Sequence, residues 1–277
     1  MPLYEFVLSL GLEAQYNARG ILPGNKELDI YIPSLKIAIE LNGAYRHSEI
    51  CGRDRKYHLQ KLKECQELGI TLIQIFDFEW NDRRSQVMSF LRSKFGKNNR
   101  IIYARKTQVR AVEKTEARDF LNKYHIQGAT GFTQAFGLYL ESELLCMITI
   151  GKHHRNNKEW VLSRYVGKEG VTVTGGLSKL VSAAGAEYPT FSTWVDLRIS
   201  EGKSWISMGW QLVDTLAPDY FYFKLSSGEI VSKQSRKKSN VNTPEGITAL
   251  NHAISDGLTR VWDCGKLKLV YRNTTQY

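Results

Sequence analysis

The chain has 277 residues, 42% of them hydrophobic and 24% charged, which is length enough for two domains that each bury a core. No apolar run approaches the roughly 20 residues of a membrane-spanning helix, and the start MPLYEFVLSLGLEAQ carries Glu5 and Glu13 with no basic segment, so neither membrane insertion nor a secretory signal is expected. A net charge of +10 points to a polyanionic partner, and four scattered cysteines (Cys51, Cys65, Cys146, Cys264) with no CxxC pair point to a reducing cytoplasm rather than a disulfide framework.

Residues 1–100 read as helix, strand, strand, helix, strand, helix. LYEFVLSLG is a short helix that ends at Gly11. LDIYI and IAIEL are two short strands, Leu28–Ile32 and Ile37–Leu41, joined by Pro33 to Lys36. RDRKYHLQKLKECQELG repeats Leu59, Leu62, Cys65 and Leu68 at helical spacing before Gly69. ITLIQIF is a buried strand and SQVMSFLRSKFG a closing helix, followed by the connector KNNRIIYARKTQVRAV. A second stretch, 112–224, runs through the helix KTEARDFLNKYH, a hairpin turning at Glu141-Ser142-Glu143, the strand EWVLSRYVG, then VTVTGGLSKLVSAAG as strand, Gly-Gly turn and helix. TFSTWVDL reads as a strand, SWISMGWQLVD as a helix and DYFYFKL as a strand. The last stretch, 225–277, holds the basic cluster SKQSRKKSN, a helix in PEGITALNHAISDG and a final hairpin in TRVWDCGKLKLVYRN.

Two acids interrupt the apolar hairpin. With residues 33–36 as the turn, Ile32 faces Ile37 and Asp29 faces Glu40, on the side away from Leu28, Ile30 and Ile32. Opposed like charges about 5 Å apart repel, so a cation is expected between them. Hard oxygen ligands suit Mg2+, or Mn2+. Asn42-Gly43, His47 and Arg53-Asp54 follow, and Glu5 on the first helix is a further acid for the same place.

On these residues the chain resembles the PD-(D/E)XK nuclease superfamily, closest to its Vsr-like and phage EDxHD homing endonuclease branch. The signature is Glu5, Asp29, Glu40, His47 and Asp54, and the resemblance covers about residues 1–95. The lysine usual two places after the second acid is Asn42 here. The resemblance implies a mixed sheet flanked by helices and a Mg2+-dependent, site-specific endonuclease cutting duplex DNA. Asp29, Glu40 and the Leu41 carbonyl would hold the metal. His47, titrating near neutrality, would transfer a proton, and Asp54 would orient its ring. A Vsr-like repair nickase is the neighbouring reading. His47, Cys51, His58 and Cys65 lack a zinc spacing, and Cys65 reads as a buried thiol.

Residues 112–224 resemble the GNAT acyltransferase fold, including its DNA-modifying Mom-like branch. The resemblance rests on strand order, on Gly175-Gly176 before a helix, and on DLRISEGKSWISMGW. The acyl-CoA loop is incomplete, with Val173 and Ser178 in its other places. The expected architecture is therefore α/β: a nuclease-like domain over 1–100, a GNAT-like, DNA-binding domain over 112–224, and a small basic α+β unit over 225–277. Arg155, Lys158, Arg164, Lys179, Arg198, Arg236, Lys237 and Lys238 are the phosphate-contact candidates on double-stranded DNA. A Mom-like acyl or aminoacyl transferase with a nuclease-fold appendage is the alternative function, and a DNA-binding protein with a decayed active site is a third. A homodimer stays open. A fragment ending near residue 105 is expected to fold by itself.

Overall fold

The computed structural model describes residues 1–237 and 239–273. The chain is a mixed α/β protein that gathers into two compact units, each drawn from segments far apart in sequence. The first takes Met1–Asp82, Asp196–Glu201 and Leu216–Lys266; the second takes Arg83–Val195, Gly202–Thr215 and the chain from Leu267. This division differs from three consecutive stretches. No helix among the described residues is long and apolar enough to cross a membrane.

The first unit opens with α1 (Pro2–Ser9), β1 (Gln15–Ala18), β2 (Leu28–Ile32), β3 (Ile37–Asn42), α2 (Tyr57–Glu67), β4 (Thr71–Phe76) and α3 (Asp77–Asp82). Its sheet runs β1-β2-β3-β4, antiparallel except for the parallel β3–β4 pair. In β2 the alternation is read directly: Leu28, Ile30 and Ile32 are buried, and Asp29 and Tyr31 are not. β4 is buried along nearly its whole length, as a strand paired in parallel and covered on both faces should be. α2 turns His58, Leu62 and Cys65 inward, so the buried reading of Cys65 holds.

The second unit begins with α4 (Arg84–Lys94), β5 (Arg100–Tyr103), β6 (Gln108–Ala111), α5 (Lys114–Tyr124), β7 (Gln134–Leu140), β8 (Glu143–Lys152), β9 (Trp160–Gly167) and β10 (Val171–Thr174). It continues with α6 (Gly176–Glu187), β11 (Thr190–Asp196), α7 (Lys203–Ser207) and β12 (Gln211–Leu216). The chain then returns to the first unit through β13 (Tyr220–Lys224), β14 (Ile230–Val231), α8 (Ala249–Ser255) and β15 (Leu258–Trp262), and ends the second with β16 (Lys266–Arg272). Seven strands form one sheet in the order β12-β16-β11-β9-β8-β7-β6, and β5 pairs with β10 in a separate parallel ribbon. β14-β13-β15 is a small antiparallel sheet. One face packs Phe221 and Phe223 with Ala44, Phe76 and Val261; Tyr222 and Leu258 pack with Ala253 of α8.

Two expected elements take other forms. SWISMGWQLVD is not one helix: α7 stops, Gly209 takes φ +89°, and the chain leaves as strand β12. The final hairpin does not form either, because β15 pairs with β13 while β16 joins the seven-stranded sheet.

Candidate functional sites

The acidic hairpin is the first candidate. Its register pairs Ile32 with Ile37 and Ile30 with Ile39, which sets Asp29 opposite Glu40 as the alternation required. Each acid is tied to the backbone of the other's strand. The Leu41 N–H donates to Asp29 Oδ2 at 2.8 Å, and the Asp29 N–H donates to Glu40 Oε1 at 3.2 Å. The cation that the pair calls for comes from the chain: Lys61 Nζ lies 2.5 Å from Glu40 Oε2. Burial, then the charge of Asp29, pushes the Glu40 carboxyl up to about 7 against the pull of Lys61. Burial likewise raises Asp29. Lys61 escaped the sequence reading: three residues after His58 and four before Cys65, it shares their face of α2, but which strand that face covers is set by the fold.

The other residues expected around this pair are used differently. His47 stacks on His58 with ring centroids 5.0 Å apart and meets the edge of Tyr57 at 5.5 Å. Burial, then Arg53 and Lys61, drives it down to about 4, so it does not titrate near neutrality as expected. Its Nδ1 is buried without a hydrogen-bond partner among the described residues. Asp54 accepts from the Lys56 N–H at 2.9 Å and shapes the turn before α2 instead of orienting His47. Glu5 is largely exposed and pairs with the Met1 ammonium at 3.6 Å. Asn42, in the place of the expected lysine, belongs to a buried polar network. It donates to Gln74 Oε1 at 3.2 Å, His58 Nδ1 lies 2.8 Å from the same oxygen, and Gln74 Nε2 reaches the His58 carbonyl at 3.2 Å. Among the described residues no group of three or more His, Cys, Asp or Glu side chains is placed to hold a metal ion.

The second candidate lies in the seven-stranded sheet. Against β8, β9 pairs Arg164 with Thr149 and Leu162 with Ile150, which leaves Ser163 as the extra residue of a bulge. Ser163 Oγ sits 2.8 Å from Thr149 Oγ1. On its other side β9 runs parallel to β11 and pairs at one position, Val161 with Ser192. Thr193 Oγ1 adds a bond to the Leu162 carbonyl at 2.9 Å. Past that point the two strands carry no further pairs. After β9 and β10, Gly175 turns at φ +77° into α6, whose N-terminus has no side-chain cap. Gly176 is buried, and a Cβ there would lie 3.0 Å from Val173 Cβ and 3.3 Å from Cys146 Sγ. Glycine lets the helix approach the strands this closely.

Several phosphate-contact candidates are already committed inside the protein. Arg198 is buried; it makes a two-pronged contact with Glu79, at 2.9 and 3.1 Å, and another with Asp196 at 2.9 Å. Burial opposes its charge, but Asp196 and Glu79 outweigh that and keep it protonated. Lys179 Nζ donates to the Ala104 carbonyl at 2.8 Å and to that of Thr107. Arg164 donates to the Gly128 and Ser163 carbonyls at 3.2 and 2.9 Å. Arg236 pairs with Asp256. Arg155 and Lys158 stand exposed at the β8–β9 hairpin tip, and Lys237 is exposed. Lys238 lies outside the described residues.

No family model matches the chain, and no curated protein matches it either. A solved structure does: the Bacillus subtilis acetyltransferase in complex with CoA, at 13% identity and a TM-score of 0.33, covering 60% of this chain and 99% of that one. That match is to a transferase and not to a nuclease. The identification of residues 1–95 as a PD-(D/E)XK or EDxHD homing endonuclease is corrected, together with the metal-dependent hydrolase activity it implied: Lys61 stands beside Glu40 where the metal was expected, and His47 is driven well below neutrality.

Proposed function

We propose that the second unit is an acyl transferase of GNAT-like fold, moving an acyl group from a phosphate-bearing thioester to a nucleophile on nucleic acid. One observation carries this reading: β9, bulged at Ser163, parts from parallel β11 after a single pair, and the chain then passes through β10 to the uncapped Gly-Gly start of α6. The order β12-β16-β11-β9-β8-β7-β6 supports it. Where two parallel strands separate, the backbone groups on the facing edges lack strand partners. An extended donor arm with amides fits there as an added strand. The N–H groups of Gly176, Leu177 and Ser178 point out of the first turn of α6 and suit the donor's phosphates. With Val173 and Ser178 in place of the usual loop residues, that contact falls to backbone rather than to a side-chain cation.

In the transfer, the acceptor's lone pair attacks the thioester carbonyl carbon. The new bond to the acceptor forms, the C–S bond breaks, and the acceptor's proton leaves with the thiolate. The net charge of +10, with Arg155 and Lys158 exposed at the hairpin tip, supports a polyanionic acceptor.

Calorimetric titration with CoA tests the donor site, and labelled acetyl-CoA incubated with duplex DNA tests the reaction. Ser178→Glu places a carboxylate in the first turn of α6, where the helix dipole tolerates it and phosphate does not. CoA affinity should fall at least tenfold with the fold intact. If the unsubstituted protein fails to bind CoA at millimolar concentration, the reading fails.

A further inference from the structure

The outer strand of the seven-stranded sheet is built as an unfinished surface. All six residues of β12, Gln211 to Leu216, are exposed, and among the described residues the strand order leaves one of its edges without a neighbour. Leu212, Val213 and Leu216 are 49%, 48% and 37% exposed, and Ile206 just before them is 46% exposed. Natural edge strands are shielded by lysines, proline, bulges or a covering element. From Gln211 to Leu216 there is neither a lysine nor a proline.

We propose that β12 is a dimerisation edge, closed by antiparallel pairing with β12 of a second copy of this chain, independently of the reaction proposed above. Charge selects this occupant. Each copy carries +10, so two copies meet best where basic side chains are missing, and residues 204–223 contain no Lys or Arg and two acids, Asp214 and Asp219. The same stretch repels a nucleic acid. The strand is also self-complementary about a two-fold axis. Centred on Val213, the pairing sets Gln211 opposite Thr215, Leu212 opposite Asp214 and Val213 opposite its own copy, so that opposed side chains share a face. The one charge of the strand then meets Leu212 rather than its own copy, avoiding the like-charge pairs that destabilise strand neighbours. An isologous contact of this kind uses up both edges and ends at two copies.

Sedimentation velocity of the full chain tests this. The expected result is a dimer at tens of micromolar, converted to monomer by Val213→Lys, which sets two like charges opposite each other, and by Thr215→Lys, while Ile101→Lys, on another exposed strand, leaves the dimer intact. Two Lys variants guard against loss of fold at either one, and far-ultraviolet circular dichroism of each should match the parent. A parent that sediments as a monomer overturns the proposal. So does a dimer indifferent to both β12 substitutions, or a parent that forms open-ended larger species.

Discussion

Glu40 is the side chain on which the first unit's response to pH turns. Its carboxyl, pushed up to about 7, keeps a proton in the folded protein at pH values where the unfolded chain has lost it. Between about 4.5 and 7 the folded state therefore binds more protons, so this group's contribution falls as pH rises through that window and is level above it. The ceiling on that loss is about 3 kcal/mol. His47 and His58 act in the opposite sense. Their values are lowered to about 4 and about 3 by burial first, so the unfolded chain takes up protons first as pH drops below their ordinary value, and stability drops with it. Glu40→Gln removes the gain on acidification and leaves the histidine loss. Urea denaturation at pH 7, 6 and 5 should show a steeper fall for the variant than for the parent; parallel slopes would mean that Glu40 titrates as an ordinary carboxyl. The Asp29–Glu40 opposition was legible in the sequence because strand alternation and a four-residue turn fix a register locally. The answer to it was not. Lys61 arrives from a helix twenty-one positions on, and a helix face becomes readable only once one knows which strand it covers.

At the scale of elements, local pattern was a good guide wherever partners are near in sequence. β2 and β3, β7 and β8, and α5 all stand where their alternation or helical spacing put them. It failed where the partner is remote. SWISMGWQLVD has helical spacing, but Gly209 interrupts it and the following strand is claimed by β16, some fifty residues later. TRVWDCGKLKLVYRN has the outline of a hairpin, yet its two strands go to different sheets, a division set at Gly265. There the backbone takes φ +83°, and a Cβ would lie 2.2 Å from the Leu216 carbonyl oxygen and 3.2 Å from the Ala217 carbonyl carbon. Backbone on the opposing side has no rotamer to give. Gly265→Ala should therefore cost several kcal/mol, on the order of 2–4, combining a left-handed conformation with a steric overlap. Gly137→Ala is the comparison: its Cβ would approach the side-chain carbons of Leu144 and Val112 at 2.5 and 2.6 Å, neighbours that can shift. Thermal denaturation should place Gly265→Ala below Gly137→Ala, and the reverse order would mean that the 263–265 turn adapts.

For the whole molecule, the decisive feature is that each unit is discontinuous. The sequence suggests that residues 1–100 suffice for a domain, since they read as three strands and three helices in plausible order. The structure shows what that stretch lacks. Glu79 is buried, and the cation that satisfies it is Arg198. The Gln74 N–H donates to the Arg198 carbonyl at 2.8 Å, and Gln74 Nε2 reaches Cys264 Sγ at 3.1 Å. Ser48 bridges to Val261, Arg260 pairs with Glu49 at 2.7 Å, and Phe76 packs against Val261 and Phe221. A fragment of residues 1–105 loses all of these partners at once. Removing one partner of a buried ion pair costs about 3–5 kcal/mol, and unpaired buried polar groups add to that, against a total stability of about 5–15 kcal/mol for an ordinary domain. The fragment should therefore show no cooperative urea transition and no near-ultraviolet dichroism from its aromatic core, contrary to the expectation from sequence that it folds alone. Adding a chain of residues 196–266 in trans should restore part of both signals, because it supplies Arg198, Cys264 and the β13–β15 sheet together. A sharp, reversible transition of the fragment by itself would show that Glu79 finds another partner and that residues 1–105 contain a separable domain.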